Sequence, residues 1–261
     1  SGGATAREAL RMIEALGWRE WDDPRRKEHA LVECLRLAWH DRLTYLGDPA
    51  HVDVPLERLL SAEYAEESAA RVKKAVGTGR PLELKTDYRA QEGTFHLSAV
   101  DRAGNMAAVT LTHGGGFGAR VTVDGLGLLL GHGMSRFDPR PGKPNSPGSR
   151  KRPLHNMCPA VVLRDGKPVM AAGGRGGRRI PNAMFRVLLG YAGEDLSMED
   201  AVAAARLHTE GGLELWLDAV WKPEQAEAFR KLGYDVRQGS VAVVSAVARD
   251  AATGRMSAAL R

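Results

Sequence analysis

The stretch Glu92-Gly93-Thr94-Phe95-His96-Leu97-Ser98-Ala99-Val100-Asp101 governs the reading of this chain. A glycine precedes a threonine, and the threonine opens a strand of alternating character. Cutting the peptide bond before Thr94 would place a free α-amine beside that residue's own hydroxyl. Such an amine titrates near pH 8, close enough to neutrality to take the hydroxyl's proton. A Gly-Thr pair before a strand is by itself more often a turn, so the weight falls on what surrounds it.

Downstream, the spacing predicts strands over 96–100 and 106–112 around the turn Asp101-Arg102-Ala103-Gly104-Asn105. That hairpin carries Thr94 and Thr112 on its two arms. A second hairpin is predicted from Val161–Leu163 to Pro168–Ala171 across Asp165-Gly166. Helices are expected over 180–191, over 197–208 behind Ser197, and over 223–233 between Pro223 and Gly233. A last hairpin joins 241–247 to 255–260, and the Pro/Gly/Ser-rich run 138–149 reads as loop. Upstream, helices are expected over 4–17, with Thr5 and Glu8 as a capping box, over 25–46 and over 61–76. In the second of these, Leu31, Leu35, Ala38, Trp39, Leu43 and Leu46 form one stripe. The polar stretch from Gly77 to Gly93 reads as a linker, dividing the chain into 1–93 and 94–261. Helices and strands in this order suit a layered α/β fold with largely antiparallel sheets.

From Thr94 onward the chain resembles the small, catalytic subunit of the γ-glutamyltransferases (γ-glutamyltranspeptidases), members of the N-terminal-nucleophile hydrolase superfamily. The matching pieces are Thr94–Asp101, Gly104-Asn105, Thr110-Leu111-Thr112, Phe117-Gly118, Gly127–Leu130, Lys151–Leu154, Met157-Cys158-Pro159 and Gly176–Ile180. Ser1-Gly2-Gly3 and Asp41–Pro49 resemble the end of the family's large subunit. The resemblance implies a four-layer αββα sandwich, incomplete without a large-subunit portion or partner chain. It implies that Thr94 is the nucleophile, first on its own preceding bond (cleavage between Gly93 and Thr94) and then on a small amide. It implies that Thr112 hydrogen-bonds the nucleophile, and that Gly176 and Gly177 offer backbone N–H groups to the oxyanion. No metal or redox cofactor is implied.

The family pattern fails where a γ-glutamyl substrate would be gripped. Gly114 stands where Asn is usual, Gly133 where Gln or Glu is usual, and Arg136 where Asp binds the substrate ammonium. His155-Asn156 replaces a Ser-Ser pair, and Phe95 replaces a second Thr beside the nucleophile. Exchanging Asp for Arg would repel an ammonium by several kcal/mol in a partly dry pocket. Standard glutathione therefore fits poorly. A carboxylate without an α-amine fits better, as in acylases that act on glutaryl-type amides. The rival reading is a non-catalytic relative or basic binding module, which intact Thr94, Thr112, Gly176 and Gly177 argue against.

Composition narrows the rest. The 261 residues are 43% hydrophobic and 26% charged, an ordinary globular balance, with no apolar run long enough to span a membrane. The net charge of +5 is mild, and the clusters at Arg25-Arg26-Lys27, 150–152 and 175–179 lack the interleaved aromatics of a nucleic-acid binder. Cys34 and Cys158 are too few for a disulfide framework and read as reduced, semi-buried thiols. His96, His132, His155 and His208 lack metal-ligand spacing, and the five tryptophans read as core or interface anchors. A homo-oligomer is compatible with all of this. The lack of a leader pattern reads as cytoplasmic, with a periplasmic or secreted protein as the alternative where a signal precedes Ser1.

Overall fold

The computed structural model describes residues 1–85 and 94–261, so Gly93 and the last part of the expected linker lie outside the described residues. The chain begins with helices α1 (Gly2–Ala15), α2 (Pro24–Tyr45), the single turn α3 (Leu56–Leu59) and α4 (Ala62–Thr78). Asp23 caps α2 through bonds from the Arg25 and Arg26 amides, with Pro24 at its first position. Ser61 caps α4 through a 3.1 Å bond from the Tyr64 amide. The expected single stripe on α2 is too narrow. Ala30, Val32, Cys34 and Leu37 are buried together with Leu31, Leu35, Ala38 and Trp39, so α2 is surrounded over its middle turns.

The hairpin β1 (Phe95–Val100) and β2 (Met106–Leu111) pairs Phe95 with Leu111 and Val100 with Met106, as the sequence led us to expect. A two-residue pair, β3 (Thr122–Val123) and β4 (Leu128–Leu129), follows. Strands β5 (Ala160–Arg164) and β6 (Lys167–Arg175) turn on Asp165 and Gly166, both with positive φ, which is the geometry a two-residue hairpin prefers. Helices α5 (Ile180–Leu188) and α6 (Met198–Ala203) come next. Then follow β7 (Leu207–His208), β8 (Glu214–Leu217), α7 (Pro223–Leu232), β9 (Asp235–Gln238), β10 (Val243–Arg249) and β11 (Met256–Leu260).

The main sheet runs β11-β10-β6-β5, all antiparallel. Its central strand β6 is buried from Val169 to Gly174 because both faces are covered. Helices α5 and α6 pack on one face and the β1–β2 hairpin on the other. The order is therefore helix, sheet, sheet. Among the described residues no helical layer covers the outer face of β1–β2, where Phe95, Leu97, Val109 and Leu111 are exposed. The αββα sandwich is present as three of its four layers. Trp18, Trp39 and Trp221 are core residues, and Cys34 and Cys158 are fully buried rather than half-buried.

Three local expectations are corrected. Helix α1 starts at Gly2, with Ser1 at its N-cap, so Thr5 lies inside the first turn and Glu8 is buried instead of closing a capping box. The first turn packs closely on a distant segment: a Cβ on Gly2 would lie 2.4 Å from the Asn156 carbonyl oxygen. The helix expected over 197–208 ends at Ala203, because Leu207 and His208 pair with Leu217 and Trp216 in a three-stranded sheet β7-β8-β9. Strand pairing there overrides the helix propensity of an Ala-rich run. The helix expected over 180–191 becomes α5 and a wider turn over Leu189–Gly193.

Candidate active site

Thr94 stands immediately before β1 and faces Thr112, the residue after β2, because the hairpin register carries Phe95↔Leu111 one step outward. The Thr94 Oγ1 hydroxyl donates to Thr112 Oγ1 at 3.1 Å. Thr112 Oγ1 also accepts the Gly114 amide at 3.0 Å. Two β-branched side chains with restricted χ1 are thus tied to each other and to the following loop, which fixes where the Thr94 oxygen points.

Gly176 and Gly177 follow the last residue of β6 and take φ of 134° and 62°, values that favour glycine. A Cβ on Gly176 would lie 2.9 Å from Ala242 Cα, so the loop is pressed against the chain entering β10. Two contacts fix how the hairpin lies on the main sheet. The His96 ring covers Gly173, and Gly104 in the β1–β2 turn packs beside the Arg249 side chain at the far end of β10. Because β10 runs antiparallel to β6, the start of β1 lies toward the β6 end that carries Gly176-Gly177. Thr94 and the glycine pair share one end of the sandwich.

The expected substrate-binding positions divide. Gly114, φ 92°, is pressed against His132, where a Cβ would lie 2.9 Å from the His132 carbonyl oxygen. The Asn usual there has no room without a shift of backbone. Gly133 is open, with Pro153 Cγ 3.9 Å from a notional Cβ. Arg136 is buried and donates through Nη2 to the Gly114 carbonyl at 3.0 Å. Asn156 is buried and accepts from Arg42 Nη2 at 3.0 Å, and the His155 carbonyl accepts from the same nitrogen at 3.0 Å. The His155 imidazole is held below its ordinary pKa by burial and then by the Arg136 and Arg42 charges. His96 is held low by burial, with Nδ1 2.8 Å from Thr110 Oγ1 and Nε2 2.8 Å from Ser98 Oγ.

The burial of two arginines near these positions escaped the sequence reading. Arg42 is buried on α2 and stacks over Trp39 at 5.2 Å. Arg178, next to Gly177, stacks over the same ring at 5.0 Å and pairs with Glu210 at 2.6 Å. The available signals were a cation inside an apolar helix and an arginine beside the glycine pair. With Arg136, Asn145, Asn156 and Lys143 they line a small cavity of about 30 Å³. A larger groove of about 620 Å³ between α2, α4 and α7 contains none of the expected site residues.

A helix–sheet–sheet stack that presents a threonine at the start of an inner strand is the architecture of the N-terminal-nucleophile hydrolases. The sequence model of the γ-glutamyltranspeptidase family matches residues 1–260. The chain is 34% identical over 247 residues to a glutathione hydrolase proenzyme of Pseudomonas sp. strain A14, covering 88% of this chain and 40% of that protein. It is 33% identical over 208 residues to the acylase ACY 1 proenzyme of Pseudomonas sp. strain SE83, covering 80% and 37%. A cephalosporin acylase from Bacillus halodurans shares the fold with a TM-score of 0.81 at 22% identity, over 99% of this chain and 47% of that one. The chain belongs to the γ-glutamyltranspeptidase family, and it spans about two fifths of the length of these curated relatives.

Proposed function

We propose that this chain carries the catalytic threonine of an autoprocessing amide hydrolase or acyltransferase. The observation that carries the reading is the Thr94–Thr112–Gly114 relay, 3.1 and 3.0 Å, at the sandwich end that also bears Gly176-Gly177. Chain scission between residues 93 and 94 would divide the polypeptide into 1–93 and 94–261 and free the Thr94 amine. Thr94 Oγ then attacks the amide carbonyl carbon while its proton passes to that amine. The Gly176 and Gly177 N–H groups stabilise the resulting oxyanion, a contribution of about 3 kcal/mol for each well-aimed donor. Collapse expels the substrate's amine, which takes up the proton and leaves an ester on Thr94. Water or an acceptor amine releases the acyl group.

Within this chemistry the acyl group is not γ-glutamyl. Arg136 occupies the place of an ammonium-binding carboxylate, and the packing of Gly114 against His132 excludes the usual Asn. An acylase reading on a non-glutamyl amide follows. The activity needs a further polypeptide portion, in the same chain or as a partner, to cover the open face of β1–β2. Intact mass measurement of the full gene product tests the proposal. Two pieces meeting at residues 93/94, and a single uncut piece for Thr94→Ala, are expected. An uncut wild type that still hydrolyses amides would refute it.

A further inference from the structure

The segment 151–159 leads into β5 with no helix or strand of its own. Its backbone groups therefore find their partners outside any ladder. The Arg152 amide donates to Asp48 Oδ2 at 2.8 Å, the Leu154 amide to Asn145 Oδ1 at 3.0 Å and the His155 amide to Ser1 Oγ at 3.1 Å. The His155 carbonyl accepts from Arg42 Nη2 at 3.0 Å. Ser1, Arg42 and Asp48 all belong to the 1–93 part of the chain. Asp48, in the loop between α2 and α3, makes the firmest of these attachments. Besides the Arg152 amide its carboxylate takes the Arg152 guanidinium, with Nη2 2.6 Å from Oδ1 and Nε 3.1 Å from Oδ2. The Asp48 side chain is 1% exposed and that of Arg152 is 73% exposed, so the arginine reaches in from the surface to a buried acceptor. Its bonds hold the Asp48 carboxyl well below the usual carboxylate range, which keeps the pair charged at neutral and mildly acidic pH. Next to it, a Cβ on Gly47 would lie 2.4 Å from the Pro144 carbonyl oxygen, so the Pro/Gly/Ser-rich loop has little room to shift on this side.

Beyond Arg152 the segment becomes a wall of the candidate site. Leu154 and Asn156 line the small cavity. Arg136, which also lines it, joins that cavity to the Thr94–Thr112 relay through its bond to the Gly114 carbonyl. We infer that Asp48 is a positioning residue for the amide chemistry: through Arg152 it sets where Leu154, His155 and Asn156 stand relative to the substrate. It touches no reacting atom. A charge-assisted, forked pair is suited to this, because it fixes direction as well as distance. The 1–93 portion thereby remains part of the site after scission at residues 93/94. The inference rests on the Thr94 reading for what the wall faces, though the strut itself does not.

The test uses two variants of the full gene product. Arg152→Ala removes the strut from the solvent side without opening the core. Asp48→Asn removes its charge and keeps an acceptor for the Arg152 amide. Amide hydrogen exchange over 152–156, read by mass spectrometry, is expected to quicken by roughly 10-fold in either variant. Turnover is followed on the 4-nitroanilide of glutaric, γ-glutamic or butyric acid, whichever the wild type cuts fastest. There KM should rise by roughly 3- to 10-fold while kcat stays within about twofold, a split that a general loss of stability would not produce. The double variant should be no worse than the worse single one, since both remove the same interaction. Arg152→Lys keeps the charge without the fork and should recover part of the KM, which keeps the test decisive if Asp48→Asn fails to fold. Unchanged exchange, or faster exchange with KM unmoved, would overturn the positioning role. A Thr94→Ala protein that retains turnover would instead sink the nucleophile and leave the exchange result standing.

Discussion

Gly173 lies directly beneath the imidazole of His96, and a Cβ built on it would come within 2.2 Å of Cε1 and 2.4 Å of Nδ1. The two residues belong to different sheets, β6 and β1. Their contact sets how closely the Thr94 hairpin approaches the strand that leads to Gly176-Gly177. The His96 ring is bonded at both nitrogens and cannot move aside cheaply. Gly173→Ala is therefore expected to destabilise the protein by about 1–3 kcal/mol, the usual cost of overpacking, and to lower kcat more than it raises KM. His96→Ala in the same chain should restore part of the stability, since the two residues couple. Melting temperatures of the two single variants and the double variant give the answer. Strict additivity would show that the contact does not set the spacing.

The Thr94–Thr112 bond yields a second prediction. Thr112→Ala removes the acceptor facing Thr94 Oγ1 and leaves the Gly114 amide without its 3.0 Å partner. Processing and turnover should both slow, by about 10- to 100-fold if the bond is worth 1.5–3 kcal/mol in the transition state. Thr112→Ser keeps the oxygen and should recover most of the rate. The time course of chain scission followed by mass, together with kcat on a chromogenic amide, reads both effects. An unimpaired Thr112→Ala would remove Thr112 from the chemistry.

The hairpin was legible in the sequence because its alternation and turn residues act locally. The same holds for the Asp165-Gly166 turn and for the caps at Ser61 and Ser197. The first turn of α1 was not legible, because the burial of Thr5 and Glu8 and the close packing of Gly2 on Asn156 depend on contacts more than 150 residues away. The strand at Leu207–His208 was hidden for another reason: Gly211-Gly212 does lie between it and its partner, Leu217–Trp216, but two residues are too few for alternation to show against an Ala-rich helical run. In the candidate site, Thr112 and the glycine pair were named from the resemblance alone, and what the structure adds is the Thr94–Thr112 bond. The burial of Arg42 on its helix and of Arg178 in the turn after β6 could not be read, because a lone arginine looks like a surface residue until its neighbours are known.

Stability should fall on mild acidification. His29, His96, His155 and His208 all have folded-state pKa values below the ordinary 6.5, in each case chiefly through burial. A histidine depressed in the fold binds fewer protons folded than unfolded. Its contribution is complete above pH 6.5 and is lost as pH drops below that value. Glu8 acts in the opposite sense. Burial, then Asp41, raises its pKa well above 4.5, so the folded state keeps a proton that the unfolded chain releases. Glu28, raised chiefly by burial, acts in the same sense as Glu8, and four histidines against these two carboxylates predict a melting temperature that declines from pH 7 to pH 5. For His208, burial and the nearby arginines outweigh Glu210 at 3.2 Å, and His208→Gln should flatten the decline. A melting temperature that rises over this range would contradict the assignment.

The outer face of β1–β2 leads to the last prediction. Phe95 pairs with Leu111 and Leu97 with Val109, so four large apolar side chains point the same way, each between 45% and 61% exposed. A two-stranded sheet with one such face open is marginal by itself, and a patch of this kind marks an interface. The proposal assigns it to the polypeptide portion that completes the sandwich. The 261-residue chain by itself should bind a hydrophobic dye and self-associate. Leu97→Thr with Val109→Thr should lower both effects. In the full gene product the same pair should have the opposite consequence, destabilising it by about 1.5–3 kcal/mol for each apolar side chain whose burial is lost. Size-exclusion chromatography of the short chain and chemical denaturation of the full product separate the two cases. A full product indifferent to both substitutions would mean that the face stays open to solvent and that the completing portion docks elsewhere.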